Sequence, residues 1–188
     1  MDHQPLAGKT IAILVANGFE ETEMTEPQRA LLKAGATLRL ISPEQGLVNG
    51  WHGKAWGHYF PVDKQVGEVL AADYDMLLLP GGERSVAKLA QSPHTKRIVG
   101  SFVDGGKPIA AIDDGVELLA LVDRIKGRAL TGAEGSRNAL EAAGATWSEE
   151  QVVVDKALVT ANGPDALPAF VEQAVKVFAE AAQVKKAA

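Results

Sequence analysis

The chain has 188 residues, of which 46% are hydrophobic and 23% are charged, so it can bury a sizeable core and should not be disordered. The formal net charge is −5 and no dense basic run occurs, which argues against nucleic acid and anionic membranes as partners. No apolar run approaches the roughly 18 residues that span a bilayer, and the first residues lack the pattern of a signal peptide. These features predict a cytoplasmic protein.

The sequence contains no cysteine. This excludes disulfides, thiolate ligands for metals, redox sensing by thiols and every cysteine nucleophile. We expect no cofactor and no bound metal.

The first 104 residues alternate between apolar runs and helical patterns. In chain order they predict a strand at 10–16, a helix at 20–34, a strand at 36–42, an irregular stretch at 43–60, a short helix at 65–70, a strand at 75–80 and helices at 85–90 and 94–104. The apolar runs are typical of strands that are buried on both faces. Residues 43–60 carry four glycines among tryptophans and histidines, and they predict either a small hairpin or a lid.

The second half of the chain continues the alternation. It predicts a strand at 108–112, a helix that starts at once after it, a short strand at 130–131, a helix at 135–143, β-type runs at 152–155 and 158–161, and a last helix at 165–182. The two β-type runs predict a hairpin. Strands that alternate with helices indicate a three-layer α/β/α sandwich with a mostly parallel sheet. We expect one domain over residues 1–188, with its core at about 9–182.

The strand at 108–112 ends in Asp113-Asp114-Gly115, and a helical pattern follows directly. A strand that turns sharply into a helix presents the turning residue at the carboxyl edge of the sheet, where open α/β sheets bind their ligands. The turning residue in this layout is usually a nucleophile, and here it is an aspartate. Glu23 and the Gly81-Gly82 pair follow two other predicted strands and should lie at the same edge.

Several motifs occur in a fixed order along the chain. They are Ala-Asn-Gly-Phe-Glu-Glu-Thr-Glu (16–23), Leu-Leu-Leu-Pro-Gly-Gly (77–82), Gly-Lys-Pro-Ile-Ala-Ala-Ile (106–112), Lys-Gly-Arg (126–128), Ala-Gly-Ala-Thr-Trp (143–147), Val-Val-Val-Asp (152–155) and Pro-Asp-Ala-Leu-Pro-Ala-Phe (164–170). Together they resemble the PfpI branch of the ThiJ/PfpI superfamily, from about residue 9 to 180. The resemblance implies a flavodoxin-like sheet of the class I glutamine amidotransferase type and a homodimer or larger homo-oligomer. Members are described as peptidases, glyoxalases, deglycases or stress chaperones.

The resemblance also implies roles for individual residues. Glu23 matches the glutamate that hydrogen-bonds the family's nucleophilic cysteine. Gly81 and Gly82 match the loop whose amides form an oxyanion site, and Gly115 matches the glycine of the elbow.

The chain departs from the family where the chemistry should be. Asp113 stands at the position of the nucleophilic cysteine, and Asp114 stands at that of the histidine beside it. Four further departures are Val116 in place of a proline, Ala133 in place of a large aromatic residue, and Ala161 and Asn162 in place of the serine and arginine of a Thr-Ser-Arg motif.

These departures predict that the family's cysteine-dependent reactions are absent or very slow. A carboxylate is a weak nucleophile that needs a highly activated electrophile. Loss of the histidine at 114 removes the group best suited to proton transfer near neutral pH. The first hypothesis is therefore a pseudoenzyme that acts in stress protection or binds a small carbonyl or carboxylate compound.

The second hypothesis is an enzyme that uses Asp113 and Glu23 as an acid–base pair. Two carboxyl groups in contact share a proton, and the pKa of one of them rises. Such a pair could act in hydrolysis, hydration or isomerisation of a small carbonyl compound, or it could only lock the turn. A third hypothesis is a metal site formed by Glu23, Asp113 and Asp114, and a fourth is an interaction subunit that captures a partner through residues 43–60.

Overall fold

A computed structural model describes residues 3–187. Residues 1, 2 and 188, which the prediction of one domain included, lie outside this part. The strands are β1 (Thr10–Leu14), β2 (Phe19–Glu20), β3 (Thr37–Ser42), β4 (Leu47–His52), β5 (Ala55–Pro61), β6 (Lys64–Gln65), β7 (Met76–Leu79), β8 (Ile109–Ile112), β9 (Ala129–Leu130), β10 (Thr146–Trp147), β11 (Val152–Asp155) and β12 (Leu158–Ala161). The α-helices are α1 (Glu21–Lys33), α2 (Glu83–Ala90), α3 (Pro93–Asp104), α4 (Arg137–Ala142) and α5 (Leu167–Ala187). Short 3-10 helices cover Val66–Glu68, Ala71–Asp73, Asp113–Leu121, Asp123–Ile125, Glu134–Ser136 and Pro164–Ala166.

The central sheet has seven strands in the order β11-β12-β8-β7-β1-β3-β6. Its pairs are parallel except for the antiparallel hairpin of β11 and β12. The predicted flavodoxin-like α/β fold with a mostly parallel sheet is confirmed. Parallel strands end at one edge, so the segments that follow β1, β7, β8 and β12 are brought together there.

The sheet is covered on both faces, which gives the three predicted layers. Successive residues of β1 belong to opposite cores, with Ile11 and Ile13 on one face and Ala12 and Leu14 on the other. Helices α1 and α5 cover the first face, and α2, α3 and the 3-10 helix Asp113–Leu121 cover the second. Among the described residues, no helix has the length and apolar character to cross a membrane.

The stretch 43–60 was predicted as a hairpin or a lid, and it is a hairpin. Strands β4 and β5 pair antiparallel, and β2 adds a third, parallel strand on the other side of β4. Because Phe19 and Glu20 form β2, helix α1 begins at Glu21 and not at Glu20 as predicted. The segment that leads into α1 therefore belongs to the same small sheet as the hairpin.

Several predicted boundaries and helix types were wrong. The helix after the Asp113 turn is a 3-10 helix, the predicted helix at 65–70 is one 3-10 turn, and the helix at 135–143 begins with a 3-10 turn before α4. The last helix was predicted to end at residue 182 and continues to Ala187. The predicted strand at 130–131 is β9, one residue earlier in the chain, and its partner β10 was not predicted.

Candidate active site at the strand–helix elbow

The candidate site lies where β8 turns into the 3-10 helix. All four residues of β8 are buried, and the next residue, Asp113, has a φ of 59°. This left-handed backbone is uncommon for a residue with a side chain, although aspartate tolerates it better than most residues do. The Ala133 N–H donates a hydrogen bond of 3.2 Å to the Asp113 carbonyl and holds the turn from the other side. The sharp elbow that the sequence predicted is present.

Two glycines allow neighbouring segments to lie against the elbow. A Cβ on Gly115 would be 2.6 Å from the Pro80 carbonyl oxygen. A Cβ on Gly81 would overlap the Glu23 carboxylate and would be 3.0 Å from Asp113 Cβ. The loop between β7 and α2 can therefore pack on the elbow only with glycine at both positions.

Glu23 projects from the first turn of α1 into this packed region, and only 1% of its surface is exposed. Its Oε1 accepts a hydrogen bond of 3.0 Å from the Gly81 N–H. Its Oε2 is buried and accepts no hydrogen bond from an N–H or O–H donor among the described residues. The carboxyl of Asp113 lies beside this group, because Glu23 Oε1 and Asp113 Cβ both lie within 3.0 Å of the place that a Cβ on Gly81 would take. A hydrogen bond between the two carboxyl groups requires a shared proton.

The structure brings Glu23 and Asp113 together as a carboxyl pair with unequal proton affinities. Burial, followed by the charge of Asp113, raises the pKa of Glu23 to about 9. Burial and the charge of Asp114 raise the pKa of Asp113 to about 6, and the hydrogen bond with Glu23 opposes this rise. At neutral pH the pair therefore holds one proton, which resides mainly on Glu23.

Asp114 lies beside Gly82, the second glycine of the loop between β7 and α2. Gly82 has a φ of 109°, and a Cβ on it would be 2.7 Å from Phe19 Cα, so this position also requires glycine. Burial raises the pKa of Asp114, a hydrogen bond from the Gly82 N–H opposes the rise, and the charges of Glu83 and Glu117 add to it. Both amides of the Gly81-Gly82 loop thus face carboxylates of the chain itself.

A cavity of about 330 Å³ opens next to Asp114. We call it the acid cavity, because Glu20, Glu83 and Asp114 line it. Its basic lining residue, Arg84, places its guanidinium 4.5 Å from the centre of the Trp51 ring. The cavity therefore combines three carboxyl groups with one cation that is stacked on an aromatic wall.

This geometry is accompanied by a family match over most of the chain. Residues 9–177 match the model of the DJ-1/PfpI family. The chain belongs to the DJ-1/PfpI family. The predicted membership of the ThiJ/PfpI superfamily is thereby confirmed, and the absence of cysteine makes this chain a divergent member.

Several relatives are similar over nearly their whole length. The "Protein/nucleic acid deglycase 2" of Escherichia coli is 39% identical over 172 residues, which cover 90% of this chain and 98% of that protein. The "General stress protein 18" of Bacillus subtilis is 37% identical over 165 residues, covering 87% of this chain and 94% of the relative. Among crystal structures, a ThiJ/PfpI domain protein from Brachyspira murdochii has a TM-score of 0.83 at 24% identity, over 93% of this chain and 98% of that one.

Other positions that depart from the DJ-1/PfpI pattern lie around the elbow but do not enter the acid cavity. Val116 is fully buried in the core. Asn162 lines a separate cavity of about 130 Å³ together with Thr131 and Trp147. Ala161 is buried at the end of β12. Asp113 and Glu23 therefore meet without help from the residues at 161 and 162.

Glu21, at the start of α1, joins the hairpin of β4 and β5 to the site. This side chain is 5% exposed and accepts hydrogen bonds from the backbone N–H of His58 and, at 3.1 Å, from its Nδ1. A Cβ on Gly50 or on Gly57 would overlap Glu21, so two glycines of the hairpin make room for the carboxylate. The sequence analysis did not predict this contact, because Glu21 and His58 are far apart in the chain.

The site also contains residues that the sequence did not single out. These residues are Glu20, Trp51, Glu83 and Arg84, which line the acid cavity. The position of Glu83 and Arg84 directly after Gly81-Gly82 was an available signal, because the start of a helix after a strand faces the same edge of the sheet. Within residues 3–187, no three histidine or acidic side chains are grouped closely enough to hold a metal ion.

Proposed function

We propose that this protein has lost the cysteine chemistry of its relatives and acts by binding a small ligand at the elbow, in a stress-protective role. The observation that carries the proposal is the Asp113–Glu23 carboxyl pair in the nucleophile position. A carboxyl group that is buried and hydrogen-bonded to another carboxyl is a poor nucleophile. The name of the Bacillus subtilis general stress protein supports the protective role.

The N–H groups of Gly81 and Gly82, which already interact with carboxylates of the chain, support the same proposal. The Gly81 N–H already donates to Glu23, and the Gly82 N–H interacts with Asp114. An oxyanion that develops on a substrate would have to displace a carboxylate to reach either donor. It would also be repelled by the charge of Asp114.

A turnover assay with methylglyoxal tests the loss of cysteine chemistry. The purified protein should consume methylglyoxal at the rate of a buffer blank, while the Escherichia coli deglycase 2 is assayed in parallel as the active relative. Consumption by this protein at a rate comparable to that of the relative would refute the proposal.

A second candidate function is acid–base catalysis by the same pair, and the unequal proton affinities of Glu23 and Asp113 favour it. Two carboxyl groups with separated pKa values can serve as the acid and the base of one reaction. Any hydration or isomerisation of a small carbonyl compound by this protein should then be abolished by Asp113→Asn, with the circular dichroism spectrum unchanged. Full activity in that variant would eliminate this candidate.

We further propose that the chain works as one PfpI-like domain in a cytoplasmic homodimer or larger homo-oligomer. Of the two ligand classes in the first hypothesis, small carbonyl compounds are compatible with the acid cavity. Carboxylates are less suitable, because Glu20, Glu83 and Asp114 would repel them.

A further inference from the structure

The acid cavity shares two lining residues with a second, larger cavity. Glu83 and Asp114 also line a groove of about 490 Å³ between α2 and the 3-10 helix Asp113–Leu121. We call it the apolar groove. Both volumes lie within the range of roughly 300–1,000 Å³ that is typical of small-molecule sites. One ligand could therefore occupy parts of both cavities.

The carboxylates at the junction have no cationic partner. Among the side chains that the structure describes, no lysine, arginine or histidine forms an ion pair with Glu20, Glu83 or Asp114. Arg84 instead stacks over Trp51. The junction is therefore a place where a positive group on a ligand would relieve repulsion between carboxylates.

The rest of the groove offers apolar surface. Val86 and Leu118 form a buried floor, and Ala87 and Leu121 are further lining residues that are open to solvent in whole or in part. Contact with this surface would remove an alkyl chain from water. The groove is thus mainly apolar. Its acidic lining residues are Glu83 and Asp114, which it shares with the acid cavity, and Glu117, which accepts a hydrogen bond from the Ser136 hydroxyl.

We propose that the site binds a small primary amine with an apolar chain, whose ammonium group lies between Glu83 and Asp114 and whose chain lies along the apolar groove. This inference rests on the proposed ligand-binding function and adds the chemical class of the ligand. An ammonium group donates three hydrogen bonds and accepts none, which suits two carboxylates that form no ion pair within the chain.

Three probes of equal chain length separate charge from apolar contact. Hexylammonium, 1-hexanol and hexanoate would each be titrated into the full-length protein at neutral pH and followed by isothermal calorimetry. We expect hexylammonium to bind about tenfold more tightly than 1-hexanol, because its ammonium group can form charge-assisted hydrogen bonds with Glu83 and Asp114. Hexanoate should bind most weakly of the three. Equal affinities for the three probes would overturn the proposal.

Two variants and one control variant test where hexylammonium binds. Asp114→Asn should weaken hexylammonium binding about fivefold or more, whereas Glu172→Gln, which removes an exposed charge on α5, should leave it unchanged. Ala87→Leu should fill part of the groove and weaken hexylammonium without affecting methylammonium. If Asp114→Asn and Glu172→Gln have the same effect, the ammonium group does not bind at Asp114 and the assignment is wrong.

The outcomes distinguish this inference from the broader proposal. If 1-hexanol binds as tightly as hexylammonium, the proposed preference for an amine is wrong, whereas the proposed ligand-binding function is retained. Turnover of methylglyoxal by this protein would refute the proposed loss of cysteine chemistry, whatever the affinities of the three probes. If Ala87→Leu changes the sedimentation coefficient and hexylammonium does not bind, the groove is a contact between copies of the chain, and the amine site is refuted.

Discussion

At the scale of single residues, Glu23 and Asp113 determine what the elbow can do. A thiolate at this position would be ionised and exposed to a substrate, whereas the carboxyl of Asp113 is engaged by a buried partner. The pair holds a proton at neutral pH because ionising both groups would place two negative charges in contact. The site therefore stores a proton in the place where its relatives with a cysteine have a nucleophile.

The raised pKa of Glu23 predicts how stability depends on pH. The folded state holds the Glu23 proton up to about pH 9, while the unfolded state releases it near the ordinary value of 4.5. Over this window the folded state binds more protons, so the free energy of unfolding falls as the pH rises, on the order of 4 kcal/mol between about pH 5 and about pH 8. Glu23→Gln cannot ionise and should flatten this dependence.

Urea unfolding of both proteins across that pH range measures the effect. Glu26→Gln, on the same helix but with a side chain that is 45% exposed, serves as the control and should keep the slope of the parent protein. A Glu23→Gln variant with an undiminished slope would show that Glu23 is ionised at neutral pH.

Gly115 provides a residue-scale test of the close packing at the elbow. Gly115→Ala should lower the free energy of unfolding by about 1–3 kcal/mol, because the new methyl group would meet the Pro80 carbonyl. Gly135→Ala places a methyl group in open space and should change stability by less than about 0.5 kcal/mol. Thermal or urea unfolding compares the two, and equal stabilities would contradict the packing described.

At the scale of elements, the buried carboxylate of Glu21 adds to the pairing of β2 with β4 in holding the hairpin of β4 and β5. Glu21→Ala removes the acceptor for both hydrogen bonds from His58. We expect faster amide hydrogen exchange across β5, by a factor of about ten, since buried hydrogen bonds to charged groups contribute about 1.5–3 kcal/mol. Glu26→Ala is the control on the same helix, and unchanged exchange of β5 in Glu21→Ala would show that other contacts hold the hairpin.

The elements also show how far the sequence alone reaches. The buried strands β1, β7 and β8 were predicted because their apolar runs are continuous, and the elbow was predicted because a helical pattern follows β8 without a linker. The hairpin remained undecided because its glycines looked like loop residues. Its glycines at 50 and 57 are required by Glu21, a contact over about thirty residues that no local pattern records.

At the scale of the whole molecule, the order of the motifs and the family resemblance predicted the fold and the pairing of Glu23 with Asp113. They did not predict the shape of the cavities. The acid cavity joins residues from the first turn, the hairpin, α2 and the elbow. The periodicity of a sequence does not show which distant segments lie next to each other in the folded chain. Trp51, which lies on β4, could therefore be placed at the site only from the structure.

The proposed homo-oligomer also belongs to this scale. Large exposed apolar side chains concentrate on the hairpin, where Leu47, Trp56 and Tyr59 are 54%, 52% and 67% exposed. Exposed apolar groups of this kind favour contact with another molecule. Tyr59→Lys should shift sedimentation towards the monomer, and Leu70→Lys, at an equally exposed position away from the hairpin, should not. A chain that sediments as a monomer at all concentrations would contradict this proposal.

The central claim is that a carboxyl pair sharing one proton has replaced the nucleophile at the elbow. A crystal structure at atomic resolution, from crystals grown near neutral pH, would measure the shortest distance between the carboxyl oxygens of Glu23 and Asp113. We predict about 2.5–2.7 Å, the length of an O–H···O⁻ hydrogen bond. A separation of more than about 3.5 Å, or a cation between the two groups, would contradict the claim.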